Sequence, residues 1–190
     1  MIFGKSVLAV IPARGGSKRF PGKNLAKIGK YTLVEIAIRV ARKSKYIDRI
    51  IVSSDDPAIL SVAGKHAFKR PAELATDSAT SESVARNALS LCPSFHLLVL
   101  LQPTSPCRTA ADIDRTITAA ALHPLGAYST CATKPNGAAY AVKASKLRDN
   151  IKLSSIRLER VWMPQERSID IDNPSDLEEA KSALRRSSQA

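Results

Sequence analysis

Aromatic residues are scarce in this chain of 190 residues: four Phe, four Tyr and the lone Trp162. Proteins that hold single-stranded nucleic acid stack bases on aromatic side chains set among cations, and no basic segment here interleaves the two. The formal charge of +12, from 29 basic and 17 acidic side chains, therefore reads as steering of small anionic substrates, with no nucleic-acid partner. Cysteine is equally sparse. Cys92, Cys107 and Cys131 are odd in number, far apart and without a CxxC pair, which excludes a redox or zinc motif and predicts reduced thiols. Long apolar runs are missing too, so nothing reaches the roughly 20 residues needed to cross a bilayer. The run Val7–Ile11 is broken by Pro12 and Arg14 too soon for a signal segment, and the expected location is the cytoplasm, with no membrane partner.

What is present is ordinary for one soluble domain covering 1–190: 44% apolar and 24% charged residues, enough to bury a single core. No internal repeat appears, and only Ser187–Ala190 reads as a loose tail. The apolar period alternates between strand-like and helix-like, the α/β pattern of a mainly parallel sheet flanked by helices. Strands are expected at Val7–Ile11, Ile50–Val52 and Leu97–Leu101, with weaker ones at Ala127–Cys131, Ala138–Val142 and Ile169–Asp172. Helical spacing follows at Leu33, Ile36, Ala37, Val40 and Ala41, after an Asp56-Pro57 cap, through Val84, Ala88 and Leu91, through Ile113, Ile117 and Ala120, and from Pro174 to Leu184. The polar stretch Arg70–Ser83 reads as a loop bending over a site.

The first strand runs into Pro12-Ala13-Arg14-Gly15-Gly16-Ser17-Lys18-Arg19-Phe20-Pro21-Gly22-Lys23-Asn24. Pro12 and the two glycines end the strand and are expected to leave backbone N–H groups facing an anion, while Arg14, Lys18 and Lys23 add positive charge enough to oppose a triphosphate. Ser17 and Asn24 depart from a phosphate-binding P-loop, and Gly15-Gly16 does not supply a dinucleotide fingerprint. A solvated basic loop is the competing reading. The strand Leu97–Leu101 ends in a second polar loop, Gln102-Pro103-Thr104-Ser105-Pro106-Cys107-Arg108. In a parallel sheet both loops can line one crevice.

Asp170-Ile171-Asp172 is the clearest catalytic constellation. In extended chain, residues two apart share a face, so both carboxylates can face the cleft and hold Mg²⁺ while Ile171 anchors the core. The competing reading makes Asp172, or Asn173 beside it, the cap of the helix beginning Pro174-Ser175-Asp176.

At this point the chain resembles the acylneuraminate cytidylyltransferases, which activate sialic acid and related nonulosonic acids as CMP-sugars, with 3-deoxy-manno-octulosonate cytidylyltransferases as more distant relatives. The matching pieces are Ile11–Lys18 with Lys23-Asn24, Ser53-Ser54-Asp55-Asp56, Arg70–Asp77, Leu101–Pro106, Asn136-Gly137-Ala138-Ala139-Tyr140 and Ser168–Asp172. The resemblance implies a three-layer, Rossmann-like nucleotide-diphospho-sugar transferase fold, and attack of the anomeric hydroxyl of a 2-keto sugar acid on the α-phosphate of CTP, with Mg²⁺ on Asp170 and Asp172. It places Ala13, Arg14, Arg70 and Ser81 by the cytosine and ribose, with Lys18, Lys23, Asn24 and Asp77 completing the nucleotide side. Gln102, Thr104, Asn136 and Tyr140 match residues on the sugar side. Simpler roles compete: Asp77 and Ser81 as turn and cap residues, Tyr140 as a surface-tipped strand aromatic.

The chain departs from that pattern between Ala127 and Asn136. Relatives carry a long excursion there that builds a dimer and an Arg-Gln motif for the sugar carboxylate. Here Lys134 stands where an Arg is usual, which supplies charge but not a bidentate fork. The expectation is a monomer or weak dimer with a less enclosed acceptor site. A same-fold enzyme with another acceptor (3-deoxy-octulosonate, a phosphonate or another sugar) and a non-catalytic nucleotide-binding relative remain alternatives.

Overall fold

The computed structural model describes residues 1–132, 134–149 and 157–187. Its centre is β1, Val7–Pro12, whose first five side chains are all buried. Such an unbroken apolar run suits a strand covered on both faces by helices. β1 pairs in parallel with β4 (Arg49–Ser54) on one side and β6 (Leu97–Leu100) on the other. Between β1 and β4 come a small hairpin, β2 (Lys27–Ile28) with β3 (Tyr31–Thr32), and helix α1, Leu33–Ala41. Thr32 and Glu35 cap α1 reciprocally, each side chain accepting from the other's backbone N–H.

Beyond β4 lie α2 (Pro57–Ala63), capped by Asp56 as its Asp-Pro start predicts, and the short parallel strand β5, Ala67–Lys69. Helix α3, Ser81–Leu91, leads to β6, and α4, Ala110–Leu122, follows it. Then come β7 (Gly126–Thr130), β8 (Tyr140–Lys143), α5 (Ala144–Arg148), β9 (Glu159–Trp162) and α6 (Pro174–Ser187). The seven-stranded sheet runs β5-β4-β1-β6-β8-β7-β9. β8 is antiparallel to both neighbours, and β9 is parallel to β7.

Alternate side chains of the sheet face two cores. Val7, Ala9, Ile11, Val52 and Val99 pack with α1, α2 and α4, while Leu8, Val10, Leu98 and Leu100 pack with α3 and α5. This is the expected three-layer, Rossmann-like α/β fold. α6 lies against Leu33 and Cys107 through Leu177, Ala180 and Ala183. Two expectations are corrected. Residues Ile169–Asp172 form no strand; one bond, from the Ile171 N–H to the Thr104 carbonyl at 2.8 Å, holds the segment beside the sheet. The expected tail at Ser187–Ala190 begins inside α6 at Ser187, and 188–190 lie outside the described residues.

Because β1 sends its chain to β4 on one side while the later strand β6 lies on the other, the strand order reverses at β1. The loops leaving β1 and β6 open there, at the carboxyl ends of both strands, where open α/β sheets bind ligands.

Candidate functional site

The loop after β1 is shaped by its neighbours. Ala13 is fully buried and its N–H continues the sheet to the Ser53 carbonyl at 2.9 Å. Gly15 donates to Asp55 Oδ1 at 3.1 Å, and Ser17 donates to the Gly15 carbonyl at 3.0 Å. The expected cradle of free N–H groups is thus corrected at these two positions, because both donors are consumed within the protein. Gly15 is required by close approach: a Cβ there would stand 2.7 Å from Asp56 Oδ2. Asn24, 8% exposed, sends its amide back to the Arg14 carbonyl at 2.8 Å and braces the loop against itself.

The positive charge of the site comes from side chains. Arg14, Lys18, Arg19, Lys23 and Arg70 line a cleft of about 550 Å³ together with Asp77, Ser81, Gln102 and Thr104. Arg70 is nearly buried, fixed by bonds to the Ser53 carbonyl at 2.8 Å and Ser53 Oγ at 3.2 Å, and burial lowers its pKa. The motif Ser53-Ser54 therefore works as a brace for Arg70 and Ala13.

Two carboxylates hold the loop cations in place. Asp77 accepts from Lys18 at 2.5 Å and Arg14 at 2.7 Å, and these two bonds, Lys18's first, hold its pKa below the usual carboxylate range. Asp77 sits in a turn, closed by the Ala79 N–H to the Thr76 carbonyl at 3.2 Å, and its side chain is the counter-ion of the loop cations. Asp172 accepts from Arg19 Nη2 at 3.0 Å, is ion-paired with Nη1 at 3.0 Å, and accepts from Lys23 at 3.2 Å, and Lys23 also donates to the Ile171 carbonyl at 2.7 Å. Arg19 is a site residue that the sequence reading passed over. Its place between Lys18 and Phe20 in the same basic loop was the available signal.

The helix-cap alternative for Asp172 is settled by geometry. Asn173 Oδ1 accepts from the Asp176 N–H at 3.2 Å and Asp176 Oδ2 accepts from the Asn173 N–H at 2.9 Å, so these two cap α6 between them. Asp172 is left to the cations. Thr80 caps α3 in the same way, accepting from Ser83, which leaves Ser81 to line the cleft. Ile171 is fully buried, as expected, although no strand carries it.

A second hollow of about 510 Å³ adjoins the first, and Ser81 and Gln102 line both. Its other walls include Glu82, Tyr128, Gly137, Tyr140 and Asp170. Tyr140 stacks with Tyr128, ring centres 6.1 Å apart, and burial, then the Glu82 charge, raise its pKa. Asp170 opens into this hollow. The protein crowding its carboxyl raises its pKa, the bond from Thr104 lowers it, and the charge of Asp172 adds to the rise.

Three residues expected on the sugar side stand elsewhere. Asn136 spends its amide on structure, accepting from Ser129 Oγ at 2.7 Å and donating to Ser168 Oγ at 2.8 Å, and it lines neither hollow. Lys134 is exposed and lines neither hollow. Thr104 lies with the loop cations rather than in the second hollow. No group of three or more acidic, His or Cys side chains gathers to bind a metal among the described residues, so Asp170 and Asp172 stand as a pair.

Known proteins resemble this chain in sequence and in fold. The chain is 37% identical over 110 residues to the N-acylneuraminate cytidylyltransferase of Escherichia coli O18:K1:H7, a match covering 56% of this chain and 26% of that protein. It is 31% identical over 144 residues to the 3-deoxy-manno-octulosonate cytidylyltransferase of Leptospira interrogans serovar Lai, covering 76% of this chain and 58% of the relative. The matches thus span from about a quarter to under three-fifths of these relatives' lengths. Among solved structures, CMP:2-keto-3-deoxy-manno-octonic acid synthetase complexed with CTP superposes with a TM-score of 0.73 at 17% identity, over 96% of this chain and 99% of that one, and shares the fold. Residues 8–179 match the model of the family described as Cytidylyltransferase, so this chain belongs to the cytidylyltransferase family.

Proposed function

We propose that this chain transfers CMP from CTP to the anomeric hydroxyl of a sialic-acid-like nonulosonic acid, releasing pyrophosphate. One observation supports this above the others: Asp170 opens into the second hollow while Asp172, two residues on, is paired to the cations of the first. The two carboxylates straddle the line where nucleotide and acceptor would meet, beside Ser81 and Gln102, which line both hollows.

In this reading Arg14, Lys18, Arg19 and Lys23 hold the triphosphate and neutralise the charge that builds on the departing pyrophosphate. Entry of the nucleotide exchanges Asp77 for phosphate oxygens at Arg14 and Lys18. Arg70, already rigid, closes the cleft at the nucleoside end. Gln102 and Tyr140 line the acceptor hollow and orient the sugar. Asp170 and Asp172 suit Mg²⁺, since both offer hard oxygen ligands and the desolvated Asp170 carboxyl beside a second negative charge gains from a divalent cation. When bound, that ion supplies positive charge at the α-phosphate and lowers the pKa of the attacking hydroxyl.

A second reading, a same-fold enzyme with a different acceptor, is favoured by one feature. Among the described residues the acceptor hollow is lined by Glu82 and Asp170 and by no Lys or Arg, and Lys134 stands outside it. A sugar carboxylate would find no partner cation there. Pyrophosphate release measured with four NTPs against a panel of keto-sugar acids, with and without EDTA, separates the two: CTP with a nonulosonic acid supports the first, CTP with another acceptor the second.

We also place the enzyme in the cytoplasm, with CTP and a sugar acid as its partners; no helix among the described residues is long and apolar enough to cross a membrane. Only residues 131–139 connect β7 to β8, and with so short a link we propose a monomer or weak dimer, which light scattering after gel filtration tests.

A further inference from the structure

Arg108 is 3% exposed, a rare position for a guanidinium. Its Nη1 donates to the Gln102 carbonyl at 2.6 Å and the Ala138 carbonyl at 3.2 Å, while Nε and Nη2 have no hydrogen-bond partner among the described residues. Burial draws its pKa down to about 10, so it stays charged at neutral pH, and the acid opposing that loss is Asp170. A buried cation with unused donors costs the fold free energy that an apolar side chain would not.

The place of Arg108 gives that charge a use. It stands at the end of the loop from β6 to α4 and ties this loop to the segment entering β8. The two segments touch along one line: Gln102 donates its N–H to the Gly137 carbonyl at 3.2 Å, and Ser105 Oγ donates to the Asn136 carbonyl at 3.2 Å. They meet so closely that a Cβ on Gly137, at φ +75°, would lie 2.8 Å from Gln102 Oε1. Gln102, Gly137 and Asp170 all line the second hollow, and Arg108 lines none of the hollows described above. Of the three groups that Arg108 bonds or opposes, Gln102 and Asp170 form walls of that hollow, and Ala138 adjoins the third wall, Gly137.

We infer that Arg108 is a positioning residue for the acceptor: it clamps Gln102 against the Gly137-Ala138 segment and so holds two walls of the hollow together. The inference rests on reading the second hollow as the acceptor site. Arg108 touches no substrate and acts through these walls. Arg108 bonds none of the cations of the nucleotide cleft, which are fixed by Asp77, Asp172 and Ser53, and it reaches that cleft only through Gln102.

Arg108→Gln keeps a donor but loses the charge, and Arg108→Lys keeps the charge but loses the second arm. With the acceptor that the wild-type enzyme uses best, Arg108→Gln is expected to raise the acceptor KM at least ~10-fold while the calorimetric Kd for CTP stays within about twofold, and Arg108→Lys is expected to fall between the two proteins. Equal loss of acceptor and CTP binding, or unchanged acceptor kinetics whatever the Tm, would overturn the inference. If Arg108→Gln fails to bind CTP because it does not fold, the same split in Arg108→Lys decides. If the wild-type protein uses no sugar acid, the acceptor reading fails by itself, and amide exchange then decides Arg108. Faster exchange confined to 102–106 and 136–140, with 14–24 unchanged, supports the clamp, and unchanged exchange in both segments overturns it.

Discussion

Asp172 receives both terminal nitrogens of Arg19, each at 3.0 Å, across 153 residues of sequence. This fork joins the loop after β1 to the segment before α6, and Lys23 reinforces it from the same loop at 3.2 Å. The carboxylate expected to hold a metal and the loop expected to hold phosphate are thus one electrostatic unit. Asp77 and Asp172 offset only part of the positive charge of Arg14, Lys18, Arg19 and Lys23.

In the proposed reading Arg19 belongs to the nucleotide site. Arg19→Ala is expected to weaken CTP binding about tenfold, in keeping with loss of one charge-assisted contact of roughly 1.5 kcal/mol. Arg19→Lys keeps the charge without the fork and should recover part of that loss. Calorimetric titration of CTP checks both, and an unchanged Kd in Arg19→Ala would place the side chain outside the site.

In the proposed reading Asp77 competes with phosphate for Arg14 and Lys18, with which it pairs. Its ion pairs are exposed and contribute little to the fold, so Asp77→Asn should leave the Tm nearly unchanged. Freed of their counter-ion, the two cations should bind CTP several-fold more tightly. Weaker CTP binding in Asp77→Asn would instead make Asp77 a direct nucleotide ligand.

Asp170→Asn should lower kcat at least ~10²-fold with CTP affinity nearly intact, because Asp170 opens into the acceptor hollow rather than the cation-lined cleft. Asp172→Asn should lower the rate as well, but because it releases Arg19 and Lys23 from their counter-ion it should tighten nucleotide binding, as at Asp77. Steady-state kinetics beside calorimetry separate the two. Rate unchanged by EDTA in the wild-type enzyme would remove Mg²⁺ from the mechanism.

A purely structural carboxylate offers a contrast. Asp112 is fully buried at the start of α4, where it caps the helix with Thr109 and receives Arg167 through two bonds of 3.1 Å. Burial opposes its ionisation, yet the bonds from Arg167 and Thr109 prevail and its pKa is lowered. A depressed folded-state pKa contributes stability that is complete at neutral pH and lost as pH falls below the ordinary carboxylate range. Asp112→Ala should cost about 3 kcal/mol at pH 7, leaving Arg167 without its partner. The deficit should shrink in acid, and denaturant melts at pH 7 and pH 3 measure it.

Much of this protein was legible in residues close together in the chain. Thr32 with Glu35 and Asp56 with Pro57 mark helix starts because a cap needs only its own first turn, and β1 announced itself through an unbroken apolar run that both cores could bury. The loop cations and the pair Asp170 and Asp172 were readable for the same local reason, as was the family they resemble. The tertiary structure decided which charges meet. Arg14 and Lys18 close on Asp77 some 60 residues away, and Arg19 closes on Asp172, only because β1, β5 and the segment before α6 end at the same edge of the sheet. It also reversed β8, which placed Tyr140 against Tyr128, and it drew Asn136 into a bracing network that its motif alone could not distinguish from a sugar contact. An amide or a carboxylate has the same chemistry wherever it stands in the sequence; its partner is set by strand order, and strand order is a property of the whole packed sheet.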